Sequence, residues 1–237
     1  MTNGEARRVA FFGGSFDPPH LGHLAVARAA RAALQLDSIL FAPVGAQPLK
    51  AQGSTASFDD RLHMTELAIA GEPGLEISRI DAPDPEGRPN YTLDTLHRLR
   101  SQLPEGVALF CLMGADSFLS LRQWHGAAEI PFAATLVVAS RPGQSLADLE
   151  SSLPEGVSIA SAGPPNLPVS SGIELVSYAL RNHAGRTAAF HLLPGLDVEI
   201  SASEIRRQIR GEASRTAERE LLPPAVARYI REHGLYL

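Results

Sequence analysis

The strongest constraint on what this chain can fold into is the alternation of its apolar runs with helical patterns. Short runs rich in Val, Ile, Leu and Phe, "RVAFF", "SILFAPV", "LEISRI", "VALFCLMG" and "ATLVVAS", are separated by "HLAVARAARAAL", "FDDRLHMTELAIA" and "YTLDTLHRLRSQL". The order reads β-α-β-α-β-α-β. Apolar runs without period-two polarity suit strands covered on both faces, and strand–helix alternation favours a parallel sheet with right-handed crossovers. The expected fold is α/β: a doubly wound, Rossmann-like parallel sheet. Ligands of such sheets bind beyond the carboxyl ends of the strands, so chemistry is expected in the loops after "RVAFF", "SILFAPV" and "VALFCLMG".

The 237 residues are expected to form one domain, 1–237, with a variable, insertion-like region at 144–187 and a helical C-terminal part at 201–237. From about Arg141 to Arg186, prolines, serines and glycines interrupt the apolar groups, and mixed loop with short helix is expected there. The pattern recovers with a strand-like "AAFHLLP", then "EISASEIRRQIRG", then "PPAVARYIREHGLYL", a helix opened by proline. No stretch is apolar for long enough to cross a bilayer, and "MTNGEARRVAFFGG" passes straight into a strand without a signal-peptide core. The reading is a cytoplasmic protein without a membrane partner. Cys111 is the only cysteine and lies inside "VALFCLMG", which excludes an intrachain disulfide and a cysteine-based zinc site and points to a buried thiol. A net charge of −5 gives no general attraction to nucleic acid, so phosphate binding must come from local placement of positive groups.

One stretch carries unusual chemistry: "GGSFDPPHLGH", Gly13 to His23. Paired glycines after a strand allow positive φ and close backbone approach, while Pro18 and Pro19 stiffen the turn. The helix that follows starts with unpaired N–H groups. His20 and His23 are three apart and share a face if both lie on the first helical turn. Three readings stand: metal ligands, histidines that merely cap a turn, or N–H donors to an anion. The metal reading lacks a third ligand at helical spacing, as in H-E-x-x-H. The string is neither a Walker A motif nor G-x-G-x-x-G.

The string resembles the first motif of the H-x-G-H nucleotidyltransferase superfamily, and specifically of its bacterial nicotinate-nucleotide adenylyltransferases. "NYTLDTL", "MGADSFLSLRQW", "ASRPG", "EISASEIR" and "LLPPAVARYIREHGLY" resemble that family's later motifs in order and span nearly the full chain. The resemblance implies catalytic roles for His20, His23, Lys50 and Arg206. It places Gly13, Gly14, Ser15, Phe16, Gly114, Asp116 and Ser203 against ATP, along with His20, His23 and Arg206. Lys50, Tyr91, Thr92, Trp124 and Arg141 are expected on the side of nicotinate mononucleotide.

Each assignment has a plainer reading beside it. Ser201-x-x-Glu204 is a capping-box pattern that would start a helix in any case. Arg207 points about 100° from Arg206 on an ideal helix and is expected in solvent. Trp124, the only tryptophan, would by default be core; the resemblance instead stacks it on the pyridine ring. Thr92 is an N-cap candidate and Asp116 a cap for the helix after "VALFCLM". Arg141 ends a strand, as an exposed arginine or as a contact to phosphate or ribose. Many family members carry histidine just before the lysine, where this chain has Leu49. Arg61 and Met64 also match the family, with Met64 expected to pack its helix.

The implied reaction joins ATP and nicotinate mononucleotide into nicotinic acid adenine dinucleotide, releasing pyrophosphate, with magnesium held mainly by substrate phosphates rather than by a protein metal site. The alternatives are a related enzyme acting on nicotinamide mononucleotide or phosphopantetheine, and a non-catalytic nucleotide-binding regulator. A homo-oligomer is compatible with the sequence.

Overall fold

A computed structural model describes residues 6–49, 53–140, 146–162, 173–194, 200–212 and 221–237. Strand β1 (Arg8–Gly14) lies inside the sheet, paired in parallel with β2 (Ser38–Pro43) on one side and β4 (Ala108–Gly114) on the other. Its apolar run lacks alternation because both faces are covered. Ala10 and Phe12 enter one hydrophobic cluster and Phe11 the opposite one. Strand β4 divides likewise, with Phe110 and Leu112 on the first side and Leu109, Cys111 and Met113 on the second. Two-faced burial of this kind is what a parallel sheet between helix layers demands.

Helix α1 (Leu21–Leu34) covers the first face through Leu24, Ala27, Ala30 and Leu34, and ends on Gln35 in the left-handed conformation. The second face is covered by α3 (Thr92–Gln102), through Leu96 and Leu99, and by the short α5 (Ile130–Ala133), through Ile130. Helix α2 (Phe58–Ile69) packs on the C-terminal α8 (Pro224–Glu232), and Met64, Val226, Ile230 and Tyr236 form a third cluster there. Met64 is thus a packing residue, as expected.

With β3 (Leu75–Ile77), β5 (Thr135–Ala139), β6 (Val157–Ala162), β7 (Val176–Asn182) and β8 (Thr187–Leu193), the sheet order is β3-β2-β1-β4-β5-β8-β7-β6. The chain moves outward from β1 to β3 and then restarts on the other side at β4. The reversal between β1 and β4 opens a crevice at their carboxyl ends. The remaining helices are α4 (Ala115–Leu119), α6 (Leu146–Ser151) and α7 (Ala202–Ile209).

The parallel, doubly wound sheet expected is found from β3 through β8, and it ends in an antiparallel edge, where β6 pairs with β7 and β7 with β8. The same strands replace part of the loop and short helix expected between 141 and 186. Their runs, "VSIASA" and "VSYALRN", mix polar and apolar residues without a clean period of two, and a register shift between Ile159 and Ser161 interrupts their pairing. No helix among the described residues is long and apolar enough to cross a membrane.

Candidate active site

The turn after β1 is built around bulk that glycine makes room for. A Cβ on Gly13 would lie 2.5 Å from the Phe11 ring, and one on Gly14 would lie 3.3 Å from Phe16. The positive φ expected of the glycines falls instead on Phe16, at 47°, a conformation rarely adopted by a bulky side chain. Arg61, buried on α2, holds the turn from behind. Its guanidinium donates to the carbonyls of Ser15 at 2.7 Å, Val44 at 2.8 Å and Ala56 at 3.3 Å.

His20 is the extended N-cap of α1, and His23 is the third residue of that helix. The two imidazoles stack with centroids 3.7 Å apart, and the His20 backbone N–H donates to His23 Nδ1 at 3.1 Å. Nδ1 being an acceptor, the proton of neutral His23 sits on Nε2. Burial pulls His20 down to about 4, and burial with the neighbouring His20 holds His23 well below the usual imidazole range. Both rings are therefore neutral at pH 7. Nδ1 of His20 is buried with no hydrogen-bond partner.

Helix α7 brings the far end of the chain to the same turn. Arg206 donates to the Asp17 carbonyl at 2.6 Å and to Ser203 Oγ at 3.2 Å. Arg207 is exposed and pairs with Glu204 at 3.2 Å, as its helical angle predicts. The helix starts at Ser201, but the capping box does not form: Ser201 makes no side-chain cap. Glu204 is committed to Arg207 rather than to the N-cap backbone. Asp116 does not cap either; Gly114 is the N-cap of α4 and Asp116 its exposed second residue.

Two cavities open at the carboxyl end of the sheet. One, of about 610 Å³, is lined by Gly13 to Phe16, His20, His23, Gly114, Asp116, Ser203 and Arg206. The other, of about 370 Å³, is lined by Tyr91, Thr92, Trp124, His125, Asn90 and Asp81, among others. Gly13, Gly14, Gln47 and Trp124 line both, so the two spaces meet over the end of β1. Every residue assigned to ATP in the sequence reaches the larger cavity, and Tyr91, Thr92 and Trp124 reach the smaller. Lys50 and Arg141 lie outside the described residues.

In the smaller cavity, Tyr91 rather than Thr92 is the N-cap of α3, and it makes no side-chain cap, so Thr92 is the first helical residue. Tyr91 is tilted against His125 with ring centroids 4.4 Å apart. The Trp124 indole donates to Ser120 Oγ at 3.1 Å, which sets the orientation of the ring. Asn90, which the sequence offered only as part of a motif, anchors this corner. Its Oδ1 accepts from the Ala46 N–H at 2.8 Å, and its Nδ2 donates to the Ala82 carbonyl at 3.0 Å. Burial pushes the Asp81 carboxyl up to about 6, against the lowering effects of the Thr95 hydroxyl and Arg98. Cys111 is the buried thiol expected, pushed up to about 12 by burial and then by Asp81.

Arg61 carried a local signal: it shares a helix face with buried Met64, Thr65 and Ala68, where an arginine must be paired. The partners of Asn90 and of Asp17 left no such trace. Among the described residues, no group of three or more His, Cys, Asp or Glu side chains is placed to hold a metal ion.

Residues 11–208 match the model of the Cytidylyltransferase-like family. A "Probable nicotinate-nucleotide adenylyltransferase" of Stenotrophomonas maltophilia is 42% identical over 234 residues, covering 95% of each chain. One of the same name from Solibacter usitatus is 34% identical over 230 residues, covering 97% of this chain and 99% of its own. Among solved structures, "Plasmodium falciparum nicotinic acid mononucleotide adenylyltransferase complexed with NaAD" aligns with a TM-score of 0.69 at 16% identity, over 97% of both chains. At that identity the likeness is one of fold.

Proposed function

The chain belongs to the nicotinate-nucleotide adenylyltransferases of the cytidylyltransferase-like family, and we propose that its double cavity joins ATP to nicotinate mononucleotide. The products are nicotinic acid adenine dinucleotide and pyrophosphate. The observation that carries the assignment of sites is the junction of the two cavities over Gly13 and Gly14, where a phosphate entering from each side would meet. A mononucleotide phosphate oxygen attacks the α-phosphorus of ATP, a P–O bond forms, and the bond to the β-phosphate breaks as pyrophosphate leaves.

The nucleophile is already ionised at neutral pH, so no general base is required. Catalysis then consists of positioning and charge neutralisation. Histidines held neutral by burial fit this role as N–H donors, with Nε2–H of His23 fixed by its bond from His20. Phosphate oxygens placed against the rings also supply the opposite charge that favours their protonation. Arg206, tethered through Asp17 and Ser203, keeps further N–H groups for phosphate. The Asp17 carboxylate is engaged by the Thr55 and Ala56 N–H groups, the Tyr236 hydroxyl and the nearby Arg206. Magnesium carried in on the substrate phosphates would supply further neutralisation of the leaving group, beside the donors of His20, His23 and Arg206. In the smaller cavity, the free first-turn N–H groups of α3 favour a carboxylate, and the Trp124 face suits a pyridinium ring.

The test is pyrophosphate release by the purified protein with ATP, magnesium and each mononucleotide in turn. Turnover is expected with nicotinate mononucleotide and at most weakly with the nicotinamide form. Preference for nicotinamide mononucleotide or phosphopantetheine would move the chain to a sister activity, and ATP binding without turnover would make it a regulator.

A further inference from the structure

Asp17 sits in the turn between β1 and α1, with Arg206 4.0 Å from its Oδ2, and its buried carboxylate is hydrogen-bonded by groups from distant parts of the chain. Oδ2 accepts from the Thr55 N–H at 2.6 Å, and Oδ1 accepts from the Ala56 N–H at 3.1 Å and from the Tyr236 hydroxyl at 2.8 Å. The same residue's backbone carbonyl receives Arg206. Tyr236 lies 219 residues from Asp17 and one residue before Leu237.

The backbone at both ends of this contact is unusual. Among the described residues, the non-glycine positions with positive φ are Phe16, Gln35 and Tyr236, at 47°, 50° and 68°. Gln35 ends a helix, where that conformation is ordinary. Phe16 immediately precedes Asp17, and Tyr236 donates to it. Left-handed backbone under an aromatic side chain costs free energy and persists only when the surroundings over-determine it. The Tyr236 ring is buried in the cluster of α2 and α8, and burial and the Asp17 carboxylate push its hydroxyl pKa upward, keeping it a donor at any ordinary pH.

We infer that Tyr236 is a positioning residue for nucleotidyl transfer: its hydroxyl orients Asp17, and Asp17 in turn sets the His20 turn and the Arg206 guanidinium against the ATP phosphates. The C-terminal end of the chain is thereby part of the machinery of a turn encoded at the other end. Without the hydroxyl, the carboxylate keeps the Thr55 and Ala56 N–H groups and the nearby Arg206 but loses its side-chain hydrogen-bond donor, so its orientation is less tightly set and the carbonyl that anchors Arg206 shifts with it. Misplacement on the ångström scale costs transfer rate rather than binding of the distant mononucleotide.

The inference rests on the ATP site proposed above, so the wild-type assay is run beside it. Tyr236→Phe retains the ring and its packing, and removes the hydroxyl alone. Expected is a fall in kcat on the order of tenfold or more, with KM for nicotinate mononucleotide unchanged and the thermal midpoint within a few degrees of wild type. Asp17→Asn is expected to lower kcat as well, and the double variant to be no slower than Asp17→Asn, since the hydroxyl acts through that residue. An unchanged kcat in Tyr236→Phe, a loss of rate matched by loss of folded protein, or additive losses in the double variant would each overturn the inference while a working wild type leaves the function standing. A wild type that releases no pyrophosphate overturns the function itself and this inference with it.

Discussion

The backbone N–H of His20 is hydrogen-bonded to Nδ1 of His23 at 3.1 Å, and that bond decides which nitrogen of His23 carries the proton. A neutral imidazole has one donor and one acceptor, so spending Nδ1 on the backbone leaves Nε2–H as the donor for the cleft. The capping of α1 and the proposed chemistry thus use opposite sides of one ring.

His23→Ala is expected to lower kcat by roughly 10²–10³, the magnitude found when a donor to developing charge is removed. The His20 N–H loses its partner, a cost of about 1–2 kcal/mol. Saturating kinetics paired with urea unfolding separate the two effects; wild-type turnover in folded protein would remove His23 from the machinery.

Trp124→Ala is expected to raise KM for nicotinate mononucleotide about tenfold, or ~1.4 kcal/mol, through loss of the π-face. The change in KM for ATP is expected to be smaller. Equal effects on both substrates in steady-state kinetics would place Trp124 at the shared wall of the cavities rather than under the pyridine ring.

Arg61→Met leaves the carbonyls of Ser15, Val44 and Ala56 without their donor. Destabilisation of about 3 kcal/mol or more is expected from several buried acceptors left unpaired. The check is a lower urea midpoint at unchanged m-value. Arg61→Lys should recover little, because an ammonium cannot span carbonyls from separate segments as the guanidinium fork does.

Acid should weaken the fold before most carboxylates titrate. His20 and His191 are held at about 4 by burial, with Arg8 adding to the effect at His191, and His23 is also lowered. Below the unfolded value near 6.5 the unfolded chain binds the extra protons, so this stability is present above pH 6.5 and is lost progressively towards pH 4. Asp81 has the opposite sign: raised to about 6 by burial, it destabilises the fold as pH rises through 6. Thermal midpoints measured from pH 7.5 to 5 should fall with acid. Asp81→Asn should steepen that fall by removing a raised carboxyl that opposes it; a midpoint that rises on acidification would contradict the assignment.

Much of the larger cavity was legible in the sequence because its residues are local to strand ends and helix starts. Gly13 to His23 is a strand end, a stiff turn and a helix start in eleven consecutive residues, and the helical angle between Arg206 and Arg207 separated the tethered arginine from the solvated one. Mistakes came where a local rule met a tertiary competitor. Ser201 and Glu204 have the spacing of a capping box, but Arg207 holds Glu204. The positive φ expected at glycine went to Phe16, and β6 and β7 lie in a segment broken by prolines, serines and glycines, where two strands of irregular pattern pair with each other.

The sequence by itself determined the parallel core and the strand–turn–helix course of the H-x-G-H stretch, because two-faced apolar runs and a glycine–proline–histidine string need no distant partner to be read. Only the tertiary structure decided that the two cavities share a wall at Gly13 and Gly14, that Asn90 pins the loop ends beside Tyr91, and that Tyr236 reaches Asp17 across 219 residues. The physical reason is that hydrogen bonds made across the fold are selected by burial and by the geometry of whole elements, and neither has a period in the sequence.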